Sequence, residues 1–175
     1  MLAGGADGAN LLPDLVRRLG RLEGLHLTVV AGPFLRDLRR VEEICRSLSK
    51  PARFLKNPAS LCSVMRQADL AVSAAGQTLY DLACVGCPTI AFEAAPNQAG
   101  QLRVMEDQGC VVRIDPRGEF SKLEEVVLQL AHDPARRERM TRQGQALVDG
   151  RGAARVASEI AALRSMEKPS CHPKP

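Results

Sequence analysis

The chain has 175 residues, 45% of them apolar and 25% charged, which suits one globular domain with a real core and excludes collagen-like and disordered classes. The net charge of +4 is spread out, and only five aromatic residues occur, so stacking recognition of single-stranded nucleic acid is not expected. No run approaches the ~18 apolar residues that span a bilayer, and the first residues lack a signal peptide's charged start and apolar middle, so a cytoplasmic protein without membrane insertion is expected.

In chain order, Met1-Leu-Ala3 reads as the tail of a strand and Gly4-Gly5-Ala-Asp7-Gly8-Ala-Asn10 as a glycine-rich turn. Leu11, Leu12, Leu15, Val16, Leu19 and Leu22 recur at helical spacing. Residues 25–31 predict a strand closed by Gly32-Pro33, and 34–49 a helix with Leu35, Leu38, Val41, Ile44, Cys45 and Leu48 on its apolar stripe. A short strand over 53–55 and a short helix over 59–67 follow. The apolar run 69–73 predicts a buried strand, 77–85 a helix and 88–92 another strand. Helix 98–108 stops at Gly109, and 111–114 is the last strand. Residues 121–132 and 134–165 read as helical, with a break at Asp149-Gly-Arg-Gly152. The domain is thus expected over 1–165, with a disordered, proline-rich tail over 166–175. Strands alternating with helices predict a Rossmann-like α/β fold, a parallel sheet covered on both faces, with ligands bound beyond the carboxyl ends of the strands.

Three of the loops at those ends have residues suited to ligands. Glycines at 4, 5 and 8 let backbone approach a phosphate at a helix N-terminus, although a plain tight turn explains them as well. Ser73-Ala-Ala-Gly76-Gln77-Thr78 is a second loop of this kind, and two helix N-termini facing one crevice suit a diphosphate. Asp81, one turn into that helix, can cap the turn or accept from ribose hydroxyls. Asn97 and Gln98 offer adjacent amides for sugar hydroxyls, and Asn97 suits an N-cap equally. Neither a Gly-x-Ser-x-Gly elbow nor a histidine paired with a carboxylate is apparent, and no general base stands out. Cys84-Val-Gly-Cys87 has redox or zinc spacing but lacks a second pair, so it reads as packing. No metal or cofactor is expected.

The stretch Ala68-Asp-Leu-Ala-Val-Ser-Ala-Ala-Gly-Gln-Thr-Leu-Tyr-Asp-Leu-Ala-Cys-Val-Gly-Cys-Pro-Thr-Ile90 resembles the nucleotide-sugar site of enzymes of the GT-B fold. Gly4-Gly-Ala-Asp7-x-x-Asn10, the pair Asn97-Gln98 and Asp149-Gly-Arg-Gly152-Ala-Ala-Arg155 resemble the UDP-2,4-diacetamido-2,4,6-trideoxy-β-L-altropyranose hydrolases of pseudaminic acid synthesis more than the related peptidoglycan N-acetylglucosaminyltransferases. The resemblance covers about residues 3–160. It implies the C-terminal domain of a GT-B enzyme, binding a UDP-sugar, with the first strand truncated. Gly4, Gly5, Asp7 and Asn10 would form the first nucleotide loop, and Phe54, Leu55 and Lys56 would flank the uracil. Gly76, Gln77 and Thr78 would contact the diphosphate through N–H and hydroxyl groups, Ser73 would be a further nucleotide-binding residue, and Asn97 and Gln98 would face the sugar. Asp81 stands where the family usually has glutamate as ribose ligand. The resemblance also implies a missing N-terminal domain carrying the histidine base, so this half alone would be inactive. A glycosyltransferase half and a non-catalytic nucleotide-sugar-binding module are the alternatives.

Overall fold

The structure, a computed structural model, describes residues 10–115 and 120–166, the side chains of 120–121 and 164–166 excepted. The expected strand at 1–3, the glycines of the first loop and the tail beyond 166 lie outside the described residues. The elements are α1 (Leu12–Leu19), β1 (Thr28–Ala31), α2 (Leu38–Ser47), β2 (Arg53–Lys56), α3 (Cys62–Arg66), β3 (Ala71–Ala74) and α4 (Thr78–Val85). Then come β4 (Thr89–Phe92), a 3-10 turn (Pro96–Gln98), α5 (Ala99–Asp107), β5 (Val111–Ile114), α6 (Phe120–His132), α7 (Pro134–Leu147) and α8 (Gly152–Met166).

All described strand pairs are parallel. β1 pairs β2, with Ala31 opposite Lys56, and β4 lies between β3 and β5, with Ala74, Phe92 and Ile114 in register. Four-residue strands connected through helices leave both sheet faces to be covered, which is why β3 and β4 are buried at every position. Val72 and Ala74 of β3, Ile90 and Phe92 of β4 and Ile114 of β5 cluster with Leu15 and Leu19 of α1 and Leu123, Val127 and Leu130 of α6. On the other face, Ala75, Ala91 and Val111 cluster with Leu79 and Ala83 of α4 and Leu102 and Met105 of α5. The alternation along each strand therefore assigns α1 and α6 to one layer and α4 and α5 to the other.

α1 belongs to two clusters. Leu15 and Leu19 join the core over β3–β5, while Leu12 and Val16 join Val29 of β1 and Val41, Ile44 and Cys45 of α2. One short helix thus spans both ladders, because its apolar residues cover two adjoining faces of the cylinder.

α2 begins four residues later than its apolar stripe predicts. Its N-cap is Asp37, whose carboxylate accepts from the Arg40 N–H at 3.4 Å; Leu35 packs against the α2 cluster from the preceding loop. Hydrophobic contact without helical backbone produced the overshoot. α7 seats on α4 through small residues: Gly144 lies where a Cβ would come 3.1 Å from the Ala83 carbonyl oxygen, and the Thr141 hydroxyl donates to the Gly86 carbonyl at 2.7 Å. Gly86 ends α4 in the left-handed region at φ 77°.

Candidate functional site

Parallel strands place the following loops at their carboxyl ends, so Ala75 and Glu93, which follow β3 and β4, share one edge, and Asn57 follows β2 at the carboxyl end of the separate β1–β2 ladder. Two of those loops are joined by side chains. The Gln98 carbonyl oxygen accepts from the Ala94 N–H at 2.9 Å, and its amide nitrogen lies 3.6 Å from where a Cβ on Gly76 would stand. The Gln101 amide donates to the Ala75 carbonyl. The turn Ala75–Thr78 and the turn Pro96–Gln98 consequently form one surface.

The start of α4 is built to leave donors open. Leu79 N–H donates to Gly76 O and Tyr80 N–H to Gln77 O, both at 3.0 Å, so the first turn is 3-10-like. The N–H groups of Gly76, Gln77 and Thr78 have no acceptor among the described residues, and no side chain caps the helix. Three amides on a half-buried glycine turn at a helix N-terminus are the chemistry that binds phosphate oxygens.

Gln77 is exposed, Gly76 and Thr78 are half-buried at the same turn, and Asp81 is exposed one turn further on. Asn97 is exposed on the 3-10 turn beside Gln98, and it is not the N-cap of α5, which starts after Gln98 without a side-chain cap. Gln98 spends its oxygen on Ala94, leaving only its amide nitrogen to face a ligand. Ser73 departs from its expected role: it is 1% exposed, and its hydroxyl donates to the Ala74 carbonyl at 2.9 Å within the strand core. Four consecutive buried positions gave no alternation from which its inward orientation was readable.

Phe54 packs against the α1–α2 cluster, Leu55 is half-buried, and Lys56 is exposed at the end of β2. A base held here would meet main chain and the Lys56–Asn57 turn, where Asn57 has φ 40° and its N–H donates to Ala31 O at 2.9 Å. Asn10 is exposed, with φ 50°, two residues before α1; Gly4, Gly5 and Asp7 lie outside the described residues. Gln101 was missed, because a glutamine on the first turn of a helix carries no pattern of its own.

Other features fall away from this edge. A cavity of about 610 Å³ opens at the amino ends of β1 and β3, lined by His26, Thr28, Asp69 and Ala71 among others, at the opposite end of the strands from the turns. In the Cys84–Cys87 pair only Cys84 is half-buried; Cys87 is buried, and burial pushes its thiol up to about 11, which disfavours the reactive thiolate. Among the described residues no three His, Cys, Asp or Glu side chains come together to hold a metal ion, and no helix is long and apolar enough to cross a membrane.

No family model matches the sequence. A curated relative is the spore coat polysaccharide biosynthesis protein SpsG of Bacillus subtilis, 26% identical over 131 residues, which are 72% of this chain and 38% of SpsG. Among solved structures, Acinetobacter baumannii MurG superposes with a TM-score of 0.72 at 16% identity, over 92% of this chain and 49% of MurG. The calicheamicin glycosyltransferase CalG4 gives 0.72 at 22% identity, over 96% and 43% of the two chains. Anabaena Alr3699/HepE, solved in complex with UDP-glucose, gives 0.66 at 19% identity, over 91% and 45%. The chain therefore spans half or less of the length of each of these relatives. Its α/β architecture, a parallel sheet between helices, is that of one domain of a glycosyltransferase of the GT-B fold.

Proposed function

We propose that this chain is the UDP-sugar-binding half of a GT-B enzyme, and that the complete enzyme is a hydrolase releasing UDP and a free diacetamido-trideoxy sugar. The observation that carries the proposal is the single surface made by the Gly76–Thr78 turn, with its three open N–H groups, and the Asn97–Gln98 turn beside it. Diphosphate would sit on the N–H groups and the Thr78 hydroxyl, ribose against Asp81, and uracil along Leu55–Lys56. The sugar would lie under Asn97 and the Gln98 amide nitrogen.

In the reaction, water attacks the anomeric carbon and the bond from that carbon to the β-phosphate oxygen breaks. The water proton passes to a base on the second domain, and UDP departs with its added charge spread over the N–H groups. Preorganised amides replace hydration at the leaving group, so no metal is needed for that task. The second domain would close the cleft and exclude water from all but the attacking position. Two observations support a second domain: the relatives are about two to two and a half times as long as the matched region, and α8 carries an uncovered apolar stripe of Val156, Ile160 and Leu163.

Transfer to a sugar or lipid-linked hydroxyl is the competing reading, favoured by the glycosyltransferases among the similar structures. Titration of this chain with UDP, with CMP and GDP as controls, tests the binding half of the proposal. UDP binding in the micromolar to millimolar range, weakened about tenfold by Thr78→Val or Asp81→Ala, is expected from the loss of one hydrogen bond to a charged or polar partner. A folded sample that gives no heat with UDP would overturn it. Reaction of the complete enzyme in ¹⁸O-water then separates the chemistries: hydrolysis puts the label on the released sugar, while transfer leaves it in the solvent.

A further inference from the structure

The carbonyl of Ala75 is where a regular α4 would find its first acceptor. In an uninterrupted helix the Leu79 N–H would donate four residues back, to that oxygen. It donates instead to Gly76 O, three residues back, at 3.0 Å. The Ala75 oxygen is taken by the side-chain amide of Gln101, on the first turn of α5. Ala75 is fully buried, and its own N–H donates to Phe92 O at 2.8 Å, so both of its peptide groups are fastened toward β4 and α5 rather than toward α4.

Gln98 adds a second link from the same helix start. Its oxygen takes the Ala94 N–H, and its nitrogen lies over Gly76. Two glutamines one turn apart thereby hold the β3–α4 turn and the β4–α5 loop together.

We propose that Gln101 is a positioning residue for the diphosphate: by capturing the Ala75 carbonyl it leaves the Leu79 N–H on Gly76 O, and so holds Gly76, Gln77 and Thr78 in the tighter 3-10 curve on which their N–H groups face the diphosphate together. The inference rests on the UDP-sugar reading for its ligand, but the backbone arrangement it explains is independent of any ligand. With Gln101 removed, the stranded carbonyl has the Leu79 N–H as its nearest alternative donor along the chain. The Leu79 N–H would exchange Gly76 O for Ala75 O, Gly76 and Gln77 would open from the 3-10 curve into a regular first turn of α4, and the diphosphate would lose its curved seat. Uracil and ribose contacts, made elsewhere on the edge, would be untouched.

The test compares Gln101→Leu, similar in size but without an amide, with the unaltered chain in two measurements. In titrations with UDP and with uridine, UDP affinity should fall about tenfold while uridine affinity changes less than about twofold. Equal losses for both ligands, or no loss for either, would overturn the proposal in favour of a merely structural contact. The second measurement needs no ligand. In ¹⁵N,¹³C-labelled protein, couplings across hydrogen bonds should report Gly76 as the acceptor for Leu79 N–H in the unaltered chain and Ala75 in the variant. An unchanged acceptor in a folded Gln101→Leu variant also overturns the proposal. Absence of UDP binding by the unaltered chain, together with the acceptor switch, would remove the nucleotide reading while leaving the positioning of the turn established.

Discussion

A Cβ built on Gly76 meets only the Gln98 amide, at 3.6 Å, and the backbone there lies outside the left-handed region. Nothing in the fold demands glycine at this position, so its use is best sought in what approaches the turn from outside. Gly76→Ala should therefore leave stability unchanged or raised by up to about 1 kcal/mol through the unfolded chain, while UDP binding drops steeply as the methyl enters the phosphate's space. Thermal melts and titrations on the same sample check both halves. Gly86 is the opposite case. At φ 77°, with a Cβ position 2.8 Å from Thr141 and Gln145, it is held by structure alone, and Gly86→Ala should cost about 1–3 kcal/mol in denaturant unfolding. Cys87 gives a pH signature. Burial pushes its thiol up from the ordinary value of 9.0 to about 11, so the folded state holds this proton more tightly. That contribution to stability is complete below about pH 9 and is lost as pH rises through about 11; an alkaline decline in melting temperature, reduced in Cys87→Ala, is the expected result. Asp149 works at the acid end. Its exposed carboxylate takes a side-chain bond from Arg155 at 2.6 Å and the Arg151 N–H at 2.9 Å, which hold it down at about 2. The Asp149–Arg155 motif thus acts as a brace at the start of α8, and that brace is present at neutral pH and lost as pH falls toward about 2.

At the scale of elements, the α4–α7 contact depends on Gly144. Helix propensity favours alanine there by ~1 kcal/mol, but a methyl would sit 3.1 Å from the Ala83 carbonyl oxygen and 3.3 Å from its Cα. Backbone on a buried helix does not yield easily, so Gly144→Ala should destabilise by about 1 kcal/mol despite the propensity gain, as measured by urea unfolding. Most of these elements were legible in the sequence, because apolar runs of four or five residues bounded by glycine and proline admit little besides buried strands. The break between α7 and α8 was readable for the same reason: Gly150, at φ 70°, is a stop that only a flexible residue fills at no cost. What escaped was contact across loops. The roles of Ser73, whose hydroxyl turns inward, and of Gln101, which reaches a carbonyl 26 positions away, depend on side-chain direction in three dimensions, and one sequence carries no signal for it.

For the molecule as a whole, α8 is exposed at every residue from 152 to 163 whose side chain is described, yet it presents Val156, Ile160 and Leu163 at 60%, 53% and 62% exposure. Three side chains offer only about 300 Å² of apolar surface, well under the ~800 Å² per partner of a stable interface. A second copy of this chain is thus a poor cover for the stripe, whereas a domain tethered in the same polypeptide needs far less area because its effective concentration is high. Sedimentation of this chain should give a monomer, and Ile160→Glu should not change that; a dimer dissociated by Ile160→Glu would argue for self-association instead.

The double membership of α1 sets how the chain can assemble. Leu12 and Leu15, three residues apart, belong to cores whose other members run from Val29 to Cys45 in one case and from Val72 to Met140 in the other. The first contacts close short loops, and the second close loops of more than about fifty residues, at a greater entropic cost. Kinetically, the helix should act as a clasp that engages one half early and the other late. Leu12→Ala would then slow refolding, while Leu15→Ala would chiefly hasten unfolding, and chevron plots of the two variants would separate along opposite arms.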